Sequence, residues 1–179
     1  MGERLLNTAE VLSSQVKFLP ENLKPIVVAG GSFNNADRLT TVTEEQKEYI
    51  DALLTKTNPK KEYFVIGPTL SAYEKYLWEK AKDKYKVVAF VPAQISTREC
   101  EKLKSSGLDI RVAIESSLMG LYKSIAYEIY KRGEATTILL DGNSPAANLI
   151  QEAKNSKYKQ RIYVSSHSRG LKTKAESLT

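Results

Sequence analysis

The chain has 179 residues, 41% of them hydrophobic and 27% charged, with a formal net charge of +6. That length can bury a substantial core as one domain, and the composition is that of a water-soluble globular protein. No run approaches the roughly 20 apolar residues that span a bilayer. A single cysteine excludes an internal disulfide, and one histidine excludes a His-rich metal site.

The first segment, MGERLLNTAEVLSSQ, has no basic stretch followed by an apolar core, so no signal peptide is expected and the cytoplasm is the simplest compartment. Residues 1–24 read as an N-terminal extension with a helix over 7–17. Six short, β-branched apolar runs follow, each bounded by glycine, proline or polar residues. They predict strands at 26–30 (IVVAG), 63–67 (YFVIG), 87–91 (VVAFV), 110–114 (IRVAI), 136–140 (TTILL) and 161–164 (RIYV). Helical spacing separates them. Residues 44–57 place Tyr49, Ile50, Leu53 and Leu54 on one side, and 71–84 do the same with Tyr73, Leu77, Trp78 and Ala81. Thr43 with Gln46 has the spacing of a capping box. Gly107 and Gly133 stand just past two helical segments, where a left-handed C-cap is expected. Six strands alternating with five helices predict an α/β domain over residues 25–168: a Rossmann-like three-layer sandwich with a mostly parallel sheet. Residues 169–179 are polar and aperiodic, which predicts a flexible tail.

Ligands of open parallel sheets bind beyond the carboxyl ends of the strands. The residues leaving these strands are small and polar. The first strand exits into Gly30, Gly31, Ser32, Phe33, Asn34 and Asn35, the second into Gly67, Pro68, Thr69, Leu70 and Ser71. The third ends at Pro92-Ala93-Gln94, the fourth at Glu115, Ser116 and Ser117, the fifth at Asp141, Gly142, Asn143 and Ser144. Glycine lets a backbone approach a ligand closely, while hydroxyls, amides and helix N-termini donate to phosphate or ribose oxygens. These positions are therefore the candidate ligand site. Each has a plainer reading as a turn or cap; what joins them is the single edge on which one fold would place them.

Other chemistries lack their patterns. G-x-x-x-x-G-K-[ST], G-x-G-x-x-G and G-x-S-x-G are all absent, so neither a P-loop, a dinucleotide cofactor nor a serine-hydrolase elbow is supported, and no cofactor is expected. Cys100 lies in a charged helical segment and His167 in a loop, SSHSRG, with no nucleophile pattern to serve. The positive charge rises toward the end, in KNSKYKQR and SRGLKTK, where an anionic partner would be attracted. Nucleic acid is compatible with that charge without being required by it. A homo-oligomer is also compatible, with the helix bearing Tyr122, Tyr127 and Tyr130 as its candidate surface.

The order of motifs resembles the SLOG superfamily, the Rossmann-like group that includes DNA-processing protein A and the LOG phosphoribohydrolases. The resemblance covers residues 25 to about 168. It rests on a strand ending in a glycine-containing loop (IVVAGGS), a strand ending in glycine with a helix behind it (FVIG), a strand ending near proline (VVAFVP), and a late small-residue loop opening a helix (ILLDGNSPAANLIQEA). It implies that Gly30, Gly31, Ser32, Gly67, Thr69, Ser71, Asp141, Gly142, Asn143 and Ser144 line a pocket for a nucleotide-derived signal. The P-G-G-x-G-T-x-x-E signature of the LOG enzymes is absent: Asp141-Gly142-Asn143-Ser144-Pro145 stands in its place, with Glu152 the nearest following acid, and Ser117-Leu118-Met119-Gly120 is similar to their G-L-M-G. Asp141-Gly142 through Glu152 is also similar, more loosely, to the D-G-x(n)-G-x-A-x-E pattern of the nucleoside deoxyribosyltransferases.

Three functions follow as expectations. The first is binding or sensing of an ADP-ribose-type or cyclic-nucleotide ligand. The second is an enzyme cleaving or transferring at an N-glycosidic bond, or acting at a phosphate bond, with Glu115, Asp141 or Glu152 as acid, base or nucleophile. The third is a DNA-associated role like that of DNA-processing protein A.

Overall fold

Val, Ile, Phe and Tyr crowd the six apolar runs, and in the computed structural model all six are strands. The structure describes residues 19–29, 42, 44–67, 72–91, 105, 107–112, 123–139, 144–164 and 176–177. In chain order the elements are β1 (Lys24–Ala29), α1 (Glu44–Lys56), β2 (Glu62–Ile66), α2 (Ala72–Ala81), β3 (Val87–Val91), β4 (Asp109–Val112), a π-helical turn (Ala126–Tyr130), β5 (Ala135–Leu139), α3 (Ser144–Lys154), β6 (Gln160–Val164) and β7 (Glu176–Ser177). The expected N-terminal helix over 7–17 lies outside the described residues, as does nearly all of the helix expected between β3 and β4.

The sheet has seven strands in the order β4-β3-β2-β1-β5-β6-β7. Every pairing is parallel. Parallel neighbours need helical crossovers, and these cover both faces, so each strand must be apolar on both sides. The burial follows that requirement residue by residue. Val27, Tyr63, Val65, Val88, Phe90 and Leu139 face one core with Ile129, Tyr130, Leu149 and Ile150. Their chain neighbours Ile26, Val28, Phe64, Ile66, Ala89 and Ile138 face the other, with Ile50, Tyr73 and Leu77. α1 and α2 therefore cover one face, while the π-helical turn and α3 cover the opposite one. This is a doubly wound α/β sheet.

The amphipathic faces read from the sequence are the faces that pack. Ile50, Tyr73, Leu77 and Ala81 are buried, with Tyr49, Leu53, Leu54 and Trp78 packed partly buried beside them. α2 stops three residues early, because the Lys84 N–H bonds back to the Ala81 carbonyl (3.0 Å) and turns the chain. Tyr85 then locks this corner. Its hydroxyl lies 2.5 Å from the Leu54 carbonyl and 3.1 Å from that of Thr57, and its ring meets Phe64 edge-on at 5.4 Å.

One expectation is corrected. Gly107 has the left-handed backbone expected of a C-cap (φ 79°), but Gly133 does not. The preceding helix closes through a π turn, in which the Lys131 N–H reaches the Ala126 carbonyl (3.0 Å), and Lys131 stays right-handed at φ −84°. No left-handed residue is needed to end it. Within the stretch expected as a tail, Glu176 and Ser177 pair with Tyr163 and Val164 as a two-residue strand.

Candidate functional site

The chain builds β1 to β4 outward in one direction, then returns to lay β5 on the other side of β1. Such a reversal leaves a crevice at the carboxyl ends of the two strands flanking it, because their connections depart to opposite faces. Here the flanking strands are β1 and β5. Ala29, the last residue of β1, is the register partner of Leu139, the last residue of β5. Both strands thus stop level at the switch point. One runs directly into Gly30-Gly31-Ser32, the other through Leu140 into Asp141-Gly142-Asn143 and the start of α3 at Ser144. The first amides of α3 have no carbonyl partner within the helix and carry the positive end of its dipole.

β2 ends on the other side of β1, and its exit is described as far as Gly67. A Cβ placed on Gly67 would lie 2.6 Å from Oε2 of Glu74. Glu74 is buried, 7% exposed, in the first turn of α2. A buried carboxylate therefore stands against the exit of β2, and any side chain at Gly67 would require it to move. The helix N-terminus favours the negative charge there. Sequence reasoning passed over Glu74. The signal was Ser71-Ala72-Tyr73-Glu74, which has the S-x-x-E spacing of a capping box.

Gly30, Gly31, Ser32, Phe33, Asn34, Pro68, Thr69, Ser71, Glu115, Ser116, Ser117, Asp141, Gly142 and Asn143 lie outside the described residues; the strand ends that carry them do not. The exits of β2, β1 and β5 are consecutive in the sheet. β4, which leads to Glu115, is an edge strand four places from β5, roughly 19 Å at the usual 4.8 Å strand spacing. Glu152 sits in the last turn of α3, eight residues beyond Ser144 and so about 12 Å along the axis toward the opposite edge.

The Tyr130 hydroxyl is fully buried and lies 2.5 Å from Thr137 Oγ1, so the suggested oligomer surface loses one of its three tyrosines to the core; Tyr127 is 55% exposed. The perturbed groups are structural. Burial, then the charge of Glu128, pushes the Tyr63 phenol well above its usual range, and burial, then Tyr163, does the same for Tyr49. Arg111 on β4 makes a two-pronged contact with Glu128 in the π-helical turn, with Nε 2.9 Å and 3.2 Å from the two carboxylate oxygens. That hydrogen-bonded carboxylate raises the guanidinium pKa further. The pair bolts the edge strand to the helix crossing back over the sheet. Among the described residues, no three His, Cys, Asp or Glu side chains gather as metal ligands do, and no helix is long and apolar enough to cross a membrane.

Fold and switch point together define the class: a doubly wound, Rossmann-like α/β domain. No family model, curated protein or solved structure matches the chain.

Proposed function

We propose that the chain binds a nucleotide-derived small molecule, of ADP-ribose or cyclic-nucleotide type, at the carboxyl edge of its sheet, in the manner of the SLOG superfamily. The observation that carries this reading is the level ending of β1 and β5 at the switch point, Ala29 beside Leu139, with a Gly-Gly-Ser exit on one side and an Asp-Gly-Asn-Ser exit opening α3 on the other. Backbone N–H groups beside glycines, and the amino end of a helix, suit phosphate. The small polar exit at Gly67 extends the same rim. One cysteine in the whole chain fits a reducing, cytoplasmic setting.

Binding is better supported than bond cleavage. Most glycoside hydrolases use two carboxyl groups roughly 5 to 9.5 Å apart. Glu152 is directed to the far end of α3, and Glu115 follows a strand four places from the one leading to Asp141.

The test is a thermal-shift series with ADP-ribose, AMP and cyclic nucleotides, followed by chromatography of the same mixtures. A ligand at 100 times its Kd adds about 2.7 kcal/mol. For a domain of this size that raises Tm by about 5–11 °C. The reading predicts such a shift for at least one nucleotide, its loss in Gly31→Val, and unchanged ligand on the chromatogram. Stabilisation by no nucleotide would overturn it.

A further inference from the structure

At the opposite, amino-terminal edge of the sheet lies an open groove of about 450 Å³ across the starts of β2, β1, β5 and β6. Lys24, Lys61, Lys159 and Arg161 line it, with Glu62 and Glu134 as its acids. Both acids are already engaged. Glu62 accepts from the Asn58 N–H at 3.2 Å, and Glu134 pairs with Lys24 at 3.6 Å. Among the described residues, Lys61, Lys159 and Arg161 have no acidic partner, and all three are exposed. Helix dipoles do not account for them. Lys56, Lys80 and Lys154 close helices and satisfy that preference. Lys61 and Lys159 stand beyond the helices, immediately before strands, and Arg161 is the second residue of β6.

The sheet's register lines these charges up. Ile26 pairs with Thr136, and Thr136 with Arg161, so β1, β5 and β6 begin within one residue of one another, while Lys24 lies beside Glu62 at the start of β2. Three strand spacings separate β2 from β6, about 14 Å, the length of several phosphates at about 3.4 Å per nucleotide along a stacked strand. Tyr158, which precedes Lys159 in the chain, is 37% exposed, with the Lys157 ammonium 5.2 Å from its ring centre. Its position is built. The Tyr158 N–H donates to Ser156 Oγ (3.1 Å), and Gln160 reaches the Gly133 carbonyl (2.7 Å) while accepting from the Ala135 N–H (3.0 Å). A line of cations with an aromatic face beside it is the arrangement that holds single-stranded nucleic acid.

We propose that this amino-edge groove binds single-stranded nucleic acid, with Lys61, Lys159 and Arg161 on the phosphates and Tyr158 stacked on a base. The site is independent of the nucleotide site at the other edge.

Fluorescence anisotropy with a labelled 12-mer of oligothymidylate, from 50 to 200 mM salt, tests it. Variants are K61Q/K159Q/R161Q, Y158A, and K47Q/K75Q/K123Q, which removes the same charge outside the groove; circular dichroism checks their folding. Wild type is expected to bind with a log–log salt slope near −2, as about three phosphate contacts to a single strand require. The groove variant should lose at least tenfold in affinity and most of that slope. Y158A should lose several-fold at an unchanged slope, and the control triple should stay within twofold. Three results would overturn the proposal: no binding at 50 mM salt, equal losses in the two triples, or full affinity in Y158A with equal competition by a base-free polyphosphate.

Discussion

Gly67 is the most exacting position at the described part of the carboxyl edge, and Gly67→Ala measures why. The added methyl would stand 2.6 Å from Glu74 Oε2, whereas ordinary contact begins at 3.4 Å, so roughly 0.8 Å of overlap must be relieved. The next atom, Cδ of Glu74, is already at 3.4 Å, so rotation of the carboxylate alone could clear the clash. Because Glu74 is buried, that rotation pushes it against packed neighbours or off its rotamer, which costs about 1–2 kcal/mol. At this chain length Tm should fall by about 2–8 °C. In a Glu74→Ala background the obstacle is gone. Since Gly67 has ordinary backbone geometry, the same methyl should then be neutral or stabilise by about 0.4–1 kcal/mol through the unfolded state. Urea titration of wild type, both single variants and the double variant yields the coupling directly. An equal penalty in both backgrounds, or none in the wild type, would show that Glu74 does not occupy the space the structure assigns to it.

The edge strand supplies a second test. A double-mutant cycle on Arg111→Met and Glu128→Gln should return about 1–3 kcal/mol of coupling, because the pair is bidentate and largely shielded; under 0.5 kcal/mol would refute its structural role. Gln160→Ala strips partners from the Ala135 N–H and the Gly133 carbonyl and should cost about 1–3 kcal/mol in urea unfolding, with faster hydrogen exchange at Ala135; unchanged exchange would refute the connection. The phenols of buried Tyr63 and partly buried Tyr49 hold their protons in the fold above the pH at which the unfolded chain releases them. Their contribution is complete below about pH 10 and lost as pH rises beyond it. Between pH 10 and 12 the stability of Y49F/Y63F should therefore fall less steeply than that of wild type, and parallel curves would contradict this.

Strands, helices and buried faces were legible because each rests on a local pattern. Runs such as YFVIG and VVAFV have no polar phase, which is what burial on both faces of a parallel sheet requires. Strand order is not local. Nothing in TTILL announces that it lies beside IVVAG rather than beside IRVAI, yet that placement creates the switch point and sorts the candidate residues. It sets the exits of β1, β2 and β5 side by side and puts the strand leading to Glu115 at the edge. The distance from Asp141 to Glu152 was hidden for a related reason: neighbours in sequence are drawn apart by a helix that rises about 1.5 Å per residue. Tyr130 and Gly133 depended on a π turn, whose i→i+5 bond leaves no signature in residue type. The basic run KNSKYKQR was visible from the start; its alignment with Lys24 and Lys61 needed the register of four strands.

Amide chemical-shift mapping of the 15N-labelled chain during titration with ADP-ribose, AMP and cyclic nucleotides locates a small ligand without any mutation. Binding at the switch point predicts that the largest changes fall on residues 28–35 and 139–147, where β1 and β5 end and α3 begins. Changes centred on Lys61, Lys159 and Arg161 instead, or no changes with any nucleotide, would contradict it.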